Sequence, residues 1–209
     1  MLLGVYNYTV LLTYTGMIIS YLGIALAMRG NIRGALICLM VSGFCDMFDG
    51  KIASTKTDRT QKERNFGIQI DSLCDLIGFG VLPAVIVYIA CDSGKPAFAV
   101  SCFYLLCALI RLAWFNVDEE ERICKSFECR KYYVGLPVTS SSLFMPLILG
   151  LALYFRVRLN IISLVLLALL GIAFVTPFRL RKPMLKGKII LLCCGVIELA
   201  ILLAGMCAA

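Results

Sequence analysis

The sequence predicts an all-α integral membrane protein, a bundle of about seven transmembrane helices with a range of six to eight. Hydrophobic residues make up 61% of the 209 residues and charged residues 16%, whereas soluble domains are roughly half apolar and a quarter charged. The mean hydropathy is +0.92. Such a chain has too little polar surface to cover a fold in water. This excludes a cytosolic enzyme, a nucleic-acid-binding module and a secreted disulfide scaffold.

Apolar runs of the length needed to span a bilayer, roughly 20 residues, recur along the chain. No basic region precedes the first run, so we expect it to be a helix of the mature protein and not a signal peptide. Because no repeat or long linker separates the runs, residues 1–209 are expected to form a single transmembrane domain. The predicted segments are 8–28, 34–54, 67–90, 97–116, 136–155, 159–177 and 188–207.

The basic residues of the loops predict the orientation. Thirteen Lys and Arg fall in the loops after segments two, four and six, and five fall on the opposite side. Because cytoplasmic loops carry the excess of Lys and Arg, the first group should face the cytoplasm. We therefore expect a multi-pass protein of the cell membrane with a cytoplasmic N-terminus and, with seven spans, an external C-terminus.

Histidine and cysteine usage narrows the chemistry. The chain has no histidine, which excludes a histidine base, a histidine metal ligand and a Ser-His-Asp triad. Its 11 cysteines include no C-x-x-C pair, so a zinc ribbon is not indicated. Most cysteines lie in apolar runs, where a free thiol packs as a small hydrophobic group.

Four of the seven aspartates fall within 30 residues, at the end of segment two and the start of segment three. Asp46 and Asp49 are three residues apart, and Asp71 and Asp75 are four apart, so each pair occupies one helix face. The short basic loop between the segments makes the two helices antiparallel neighbours. We therefore expect the four carboxylates to converge near the cytoplasmic boundary of the membrane.

Four carboxylates at that depth need a balancing cation. One alternative is structural: the aspartates cap helices and pair with Lys and Arg of the loop. The other is catalytic: ligation by carboxylates alone suits a hard cation, Mg²⁺ or Mn²⁺, and two ions could lie between the helix faces. The small residues Gly50, Ala53 and Gly67 favour the second alternative, because they let a ligand approach the backbone.

The run Asp46-Met-Phe-Asp49-Gly50-Lys-Ile-Ala53, followed by Gly67-Ile-Gln-Ile-Asp71-Ser-Leu-Cys-Asp75, resembles the signature of the CDP-alcohol phosphatidyltransferase family. The resemblance implies that 1–209 is a catalytic domain with its motif at 46–75. It further implies metal ligation by the first three aspartates. Asp75 becomes the general base, with a possible metal contact of its own. Finally, it implies a nucleotide and diphosphate site at Gly50, Ala53, Gly67 and Thr13.

Two departures from the signature concern the diphosphate. Ser54 stands where the family has arginine, and the spacer between Ala53 and Gly67 holds 13 residues, a few more than usual. The spacer is rich in Lys and Arg. We expect Arg59 or Arg64 to supply the missing charge.

Three further stretches, 66–84, 111–116 and 133–137, are similar to the phosphatidylserine synthases of this family. The similarity implies CDP-diacylglycerol as donor, L-serine as acceptor, and a homodimer. A serine carboxylate requires a buried cation, for which Arg111 is the first candidate. The alternative for this side chain is that it reaches to the membrane interface. Further acceptor-binding candidates are Ser72, Asn116 and Lys131.

Three other functions stay open from the sequence. The same fold and donor could serve glycerol 3-phosphate or an inositol phosphate as acceptor, which would require a second basic cluster. A small cation transporter could use the same aspartates, although transporters of that kind often contain repeats, and none is visible here. A purely structural membrane protein is the third, against which the aspartate cluster counts.

Overall fold

The computed structural model describes residues 4–56, 58–125, 132–181, 195–200 and 202. Within them the chain is overwhelmingly helical, as predicted. The helices are α1 (Tyr8–Met28), α2 (Ile32–Ser54), α3 (Gln61–Asp75), α4 (Leu82–Ala90), α5 (Lys95–Lys125), α6 (Ser141–Tyr154) and α7 (Leu159–Val175). Residues 195–200 are also helical, and they lie within the seventh predicted segment. Two short strands, β1 (Tyr132–Val134) and β2 (Arg179–Arg181), pair antiparallel.

Polar side chains fix where the first three helices begin. The Asn7 side chain accepts from the Thr9 N–H, and the Asn31 side chain accepts from the Gly34 N–H. Thr60 and Glu63 form a reciprocal capping box at the start of α3, which satisfies backbone donors that a helix end leaves free. The capping box begins α3 at Gln61, six residues before the predicted start at 67.

One long helix contains both Asp71 and a buried segment, α4, that packs in the core of the bundle. α3 and α4 are joined without a break by a π-helical turn, Leu76–Val81, in which the Leu82 N–H bonds to the Ile77 carbonyl. Pro83 lies at the start of α4, where proline is tolerated. The joined helix, Gln61–Ala90, is 30 residues long.

Three helices of the described chain are long and apolar enough to cross a membrane: Tyr8–Met28, Gln61–Ala90 and Lys95–Asp118. Two shorter apolar helices, Val138–Tyr154 and Leu159–Val175, accompany them. α2 is 23 residues long but includes two aspartates, an arginine and a lysine. Large apolar side chains such as Ile18, Leu106 and Ile161 are exposed on the outside of the bundle, as expected for a multi-pass membrane protein in contact with lipid.

Small residues bring α1 and α2 close together. Gly16 and Ser20 of α1 face Ser42 of α2, and the Ser20 hydroxyl donates to the Ser42 hydroxyl at 2.8 Å. Such residues let membrane helices approach closely. This contact aligns the N-terminal turns of α1 with the C-terminal turns of α2, where two of the aspartates lie.

Candidate active site

The four aspartates converge in the structure, as the sequence predicts. Carboxylate oxygens of Asp46, Asp49 and Asp71 all lie within 4.8 Å of one another. The Asp75 carboxyl contacts that of Asp46, and the Asp71 carboxyl contacts that of Asp49. Each contact joins α2 to α3, so the C-terminal half of α2 faces the last turn of α3 through these acid side chains.

Thr13 of α1 orients one member of the cluster. Its hydroxyl donates to Asp49 Oδ2 at 3.1 Å, and Asp49 is only 8% exposed. The sequence places Thr13 near the nucleotide by resemblance alone. In the structure it contacts an aspartate of the cluster directly, across the close α1–α2 interface.

The donor set fits a hard divalent cation. All the groups offered are carboxylate oxygens, the ligands that Mg²⁺ and Mn²⁺ prefer. The structural alternative required the aspartates to cap helices, yet Asn31 caps α2 and Thr60 caps α3. It also required ion pairs, and the ion pair shown in the described chain joins Lys56 to Glu63 instead. The negative charge of the cluster therefore calls for a cation other than these side chains.

Arg59 lies one helical turn from the cluster. Its guanidinium donates to the carbonyls of Ala53, at 3.4 Å, and Glu63, at 3.3 Å. A Cβ built on Gly67 would lie 2.7 Å from Arg59 Nη2. Ala53 follows Asp49 by four residues and Gly67 precedes Asp71 by four, so the guanidinium lies about 6 Å along both helices from the Asp49–Asp71 contact.

The loop that carries Arg59 is fastened at Glu63. This carboxylate accepts from Lys56 at 2.8 Å, from the Thr60 N–H at 2.9 Å and from the Asn7 side chain at 3.1 Å. The hydrogen bond to Glu63 raises the pKa of Lys56, which favours its charged form. Glu63 is not among the site residues predicted from the sequence, although the spacing Thr60-x-x-Glu63 is that of a capping box.

A cavity of about 1140 Å³ opens beside the aspartates. All four line it, together with Gly50, Lys51 and Arg111 and with apolar side chains of α2, α5 and α6. Arg111 is 7% exposed, and its Nε donates to the Leu136 carbonyl at 3.1 Å. Arg111 therefore lies inside the bundle, and the alternative of reaching to the membrane interface is not what the structure shows. Lys51, which follows Gly50 directly, is not among the site residues predicted from the sequence.

The remaining predicted residues are distributed differently. The Ser72 hydroxyl donates to Asn116 Oδ1 at 2.8 Å, so these two acceptor candidates bond each other and neither lines the cavity. Arg64 is exposed, unlike Arg59. A Cβ on Gly50 would meet nothing within 4 Å, so its neighbourhood is open. Lys131 lies outside the described residues.

Comparison with known sequences shows the family. The profile of the CDP-alcohol phosphatidyltransferases matches residues 6–176, most of the chain. The chain belongs to the CDP-alcohol phosphatidyltransferase family. This confirms the family that the aspartate motif predicts. The alternative function of a cation transporter has no support.

Several curated relatives in this family carry related names. A CDP-diacylglycerol–serine O-phosphatidyltransferase of Mycobacterium tuberculosis (strain ATCC 25618 / H37Rv) is 26% identical over 63% of this chain and 45% of its own length. An archaetidylserine synthase of Methanothermobacter thermautotrophicus is 37% identical over 47% of this chain and 42% of its own. A CDP-diacylglycerol–serine O-phosphatidyltransferase of Helicobacter pylori (strain ATCC 700392 / 26695) is 33% identical over 52% of this chain and 43% of its own length. The chain spans less than half the length of each of these relatives.

Proposed function

We propose that this protein transfers a phosphatidyl group from CDP-diacylglycerol to the hydroxyl of L-serine, giving phosphatidylserine and CMP. The observation that carries the proposal is the convergence of four aspartates on a cavity that also holds Arg111. The names of the relatives support the choice of CDP-diacylglycerol as donor and serine as acceptor. We also propose that residues 1–209 form one catalytic domain.

The aspartates are proposed to hold two Mg²⁺ or Mn²⁺ ions. Asp46, Asp49 and Asp71 would be ligands, and Asp75 would contribute an oxygen through its contact with Asp46. When bound, the ions supply charge neutralisation on the diphosphate of the donor. Thr13 keeps the Asp49 carboxylate directed at the cluster.

Arg59 is proposed to bind the diphosphate in place of the arginine that the family has at position 54. Its guanidinium lies against Gly67, where a Cβ would come within 2.7 Å of Arg59 Nη2. Its Nε is buried and has no hydrogen-bond partner among the described residues, and a buried unsatisfied donor is costly unless a ligand completes it. Arg64 is exposed, so Arg59 is favoured of the two predicted candidates.

Asp75 is proposed as the general base. It accepts the proton of the serine hydroxyl as the serine oxygen forms a bond to the phosphorus that carries the diacylglycerol. The bond from that phosphorus to the bridging oxygen breaks, and CMP leaves with this oxygen. A base in contact with the reacting group contributes roughly 10²–10⁴-fold to such a step.

The charges of the cavity favour serine over the phosphorylated acceptors. Glycerol 3-phosphate or an inositol phosphate would need a second basic cluster, and the cations among the described lining residues are Lys51 and Arg111. One buried guanidinium matches one carboxylate. We propose that Arg111 binds the serine carboxylate. Ser72 and Asn116, which are hydrogen-bonded to each other, then have a structural role between α3 and α5. Lys131 stays a candidate for binding the acceptor.

We further propose that the protein is a homodimer in the cell membrane, with its N-terminus and the aspartate cluster at the cytoplasmic side. The distribution of basic loops supports this orientation. Asn7 at the start of α1 contacts Glu63, so the proposed cytoplasmic N-terminus lies on the aspartate side of the bundle.

The test is transfer of the phosphatidyl group from CDP-diacylglycerol to radiolabelled serine, with release of CMP, in detergent micelles. We expect labelled phosphatidylserine, no activity after EDTA, and recovery on adding Mg²⁺ or Mn²⁺. Unlabelled serine should compete, whereas glycerol 3-phosphate and inositol phosphates should not. Full activity in a metal-free preparation would contradict the metal site, and competition by a phosphorylated acceptor would reassign the substrate.

A further inference from the structure

Pro83, two residues after the π-helical turn Leu76–Val81 that follows Asp75, removes the α-helical donor of one backbone carbonyl inside that turn. In a regular α-helix the Phe79 carbonyl would accept from the N–H of residue 83. That residue is Pro83, which has no N–H. A carbonyl without a donor is costly inside a membrane bundle, where no water replaces the missing bond, so a donor from outside the helix stabilises it.

Two hydroxyls from other helices supply it. Tyr104 of α5 donates to the Phe79 carbonyl at 2.6 Å, and Ser141 of α6 donates to it at 3.4 Å. The two hydroxyls also contact each other. Tyr104 and Ser141 are both 0% exposed, so water does not compete for these bonds.

The turn sets the direction of Asp75. Relative to an α-helix, a π-turn accommodates one extra residue, and one residue rotates the helix face by about 100°. Asp75 immediately precedes the turn, whereas Leu82 and Ile86 after it are fully buried in the core. If the turn relaxed to α-helical geometry while α4 kept its packing, Asp75 would turn away from Asp46.

We propose that Tyr104 and Ser141 are positioning residues that hold the π-turn and thereby aim Asp75 at the aspartate cluster. This inference rests on the proposed function, in which Asp75 is the base. Neither hydroxyl lines the cavity, so both act through the Phe79 carbonyl and not on the substrate.

Ser101 provides a matched control. Its hydroxyl, like that of Tyr104, lies on α5, is buried, and donates to a carbonyl of the same long helix, that of Ala84, at 3.1 Å. Ala84 lies beyond the π-turn, on the far side from Asp75. Ser101→Ala therefore removes a comparable bond without releasing the turn.

The experiment compares Tyr104→Phe, Ser141→Ala and Ser101→Ala, each made in the 209-residue chain and purified in detergent. At saturating Mn²⁺ we expect Tyr104→Phe to lower kcat by about 10-fold to 10²-fold, as for a misplaced catalytic group, with the KM for CDP-diacylglycerol unchanged. Mn²⁺ affinity, measured on the same samples without substrate, should fall by roughly 10-fold. Ser141→Ala should act in the same direction, and Ser101→Ala should change neither quantity.

If Tyr104→Phe and Ser101→Ala lowered kcat and Mn²⁺ affinity equally, the inference would be overturned, because both losses would then reflect general packing. Unchanged kcat and Mn²⁺ affinity in Tyr104→Phe and Ser141→Ala would overturn it as well. If Tyr104→Phe does not fold, Ser141→Ala decides by the same comparison. A folded wild-type protein that binds Mn²⁺ but transfers no phosphatidyl group to serine would count against the proposed function alone, and the Mn²⁺ comparison would still decide the positioning role.

Discussion

At the scale of single residues, Asp75 and Asp49 have different neighbours. Asp75 contacts Asp46 and is followed directly by the π-turn, whereas Asp49 bonds Thr13 and contacts Asp71. If Asp75 is the base, Asp75→Asn should lower turnover by roughly 10²–10⁴-fold and leave most of the donor affinity. Asp49→Asn should instead weaken Mn²⁺ and CDP-diacylglycerol binding together.

Titrations of metal and donor on both variants separate these roles, after elution and thermal stability have shown that both are folded. If Asp75→Asn binds donor and metal as poorly as Asp49→Asn, then Asp75 is chiefly a ligand. Near-normal turnover of Asp75→Asn would mean that another group takes the proton of serine.

Arg59 and Arg64 form a second pair for comparison. Both lie in the spacer, but Arg59 lies against Gly67 whereas Arg64 is exposed. Arg59→Gln should raise the KM for CDP-diacylglycerol by about 10-fold or more, the usual value of a charge-assisted hydrogen bond. Arg64→Gln should leave this KM unchanged, and steady-state assays with varied donor measure both. The reverse order would transfer the diphosphate role to Arg64.

At the scale of helices, the contact between α2 and α6 forms one wall of the cavity. A Cβ on Gly43 of α2 would lie 2.6 Å from Ser142 Cβ of α6. Gly43→Ala should therefore push the two helices apart and destabilise the protein by about 1–3 kcal/mol, as overpacking does. Thermal unfolding in detergent measures this effect.

Gly50→Ala on the same helix is the control. A Cβ there would meet nothing within 4 Å, and alanine is the better helix former by about 1 kcal/mol, so stability should be kept or raised. A Gly43→Ala protein as stable as Gly50→Ala would show that α2 and α6 do not pack closely at this point.

At the scale of the whole molecule, the long helix Gln61–Ala90 separates two loops that should lie on opposite sides of the membrane. Asp58 precedes this helix and Ser93 follows it, and both are exposed. In a cysteine-depleted background on intact cells, an impermeant maleimide should label Ser93→Cys, and should label Asp58→Cys only after lysis. Labelling of Asp58→Cys alone from outside would reverse the orientation and move the aspartate side with it.

The sequence by itself determined the fold class and the motif. Composition and long apolar runs predict a helical membrane bundle, because only such a fold satisfies its backbone inside lipid. The helical spacing of Asp46, Asp49, Asp71 and Asp75 predicts their convergence, since residues three or four apart share a helix face. The first helix was predicted at its observed bounds, 8–28. For α3, the Thr60–Glu63 capping box moves the start six residues earlier than the apolar run indicates.

Only the tertiary structure decided which distant residues meet these aspartates. The side chain that lies against Gly67 is Arg59 and not Arg64. The position of their loop is fixed by Glu63, which accepts hydrogen bonds from Lys56 in the loop and from Asn7 at the start of α1. Ser72 of α3 and Asn116 of α5 form a hydrogen bond with each other and do not line the cavity, whereas Arg111 and Lys51 do. The donors that complete the Phe79 carbonyl come from α5 and α6. Spacing along one helix is a local property that a sequence displays, whereas contacts between helices depend on their packing, which no local pattern specifies.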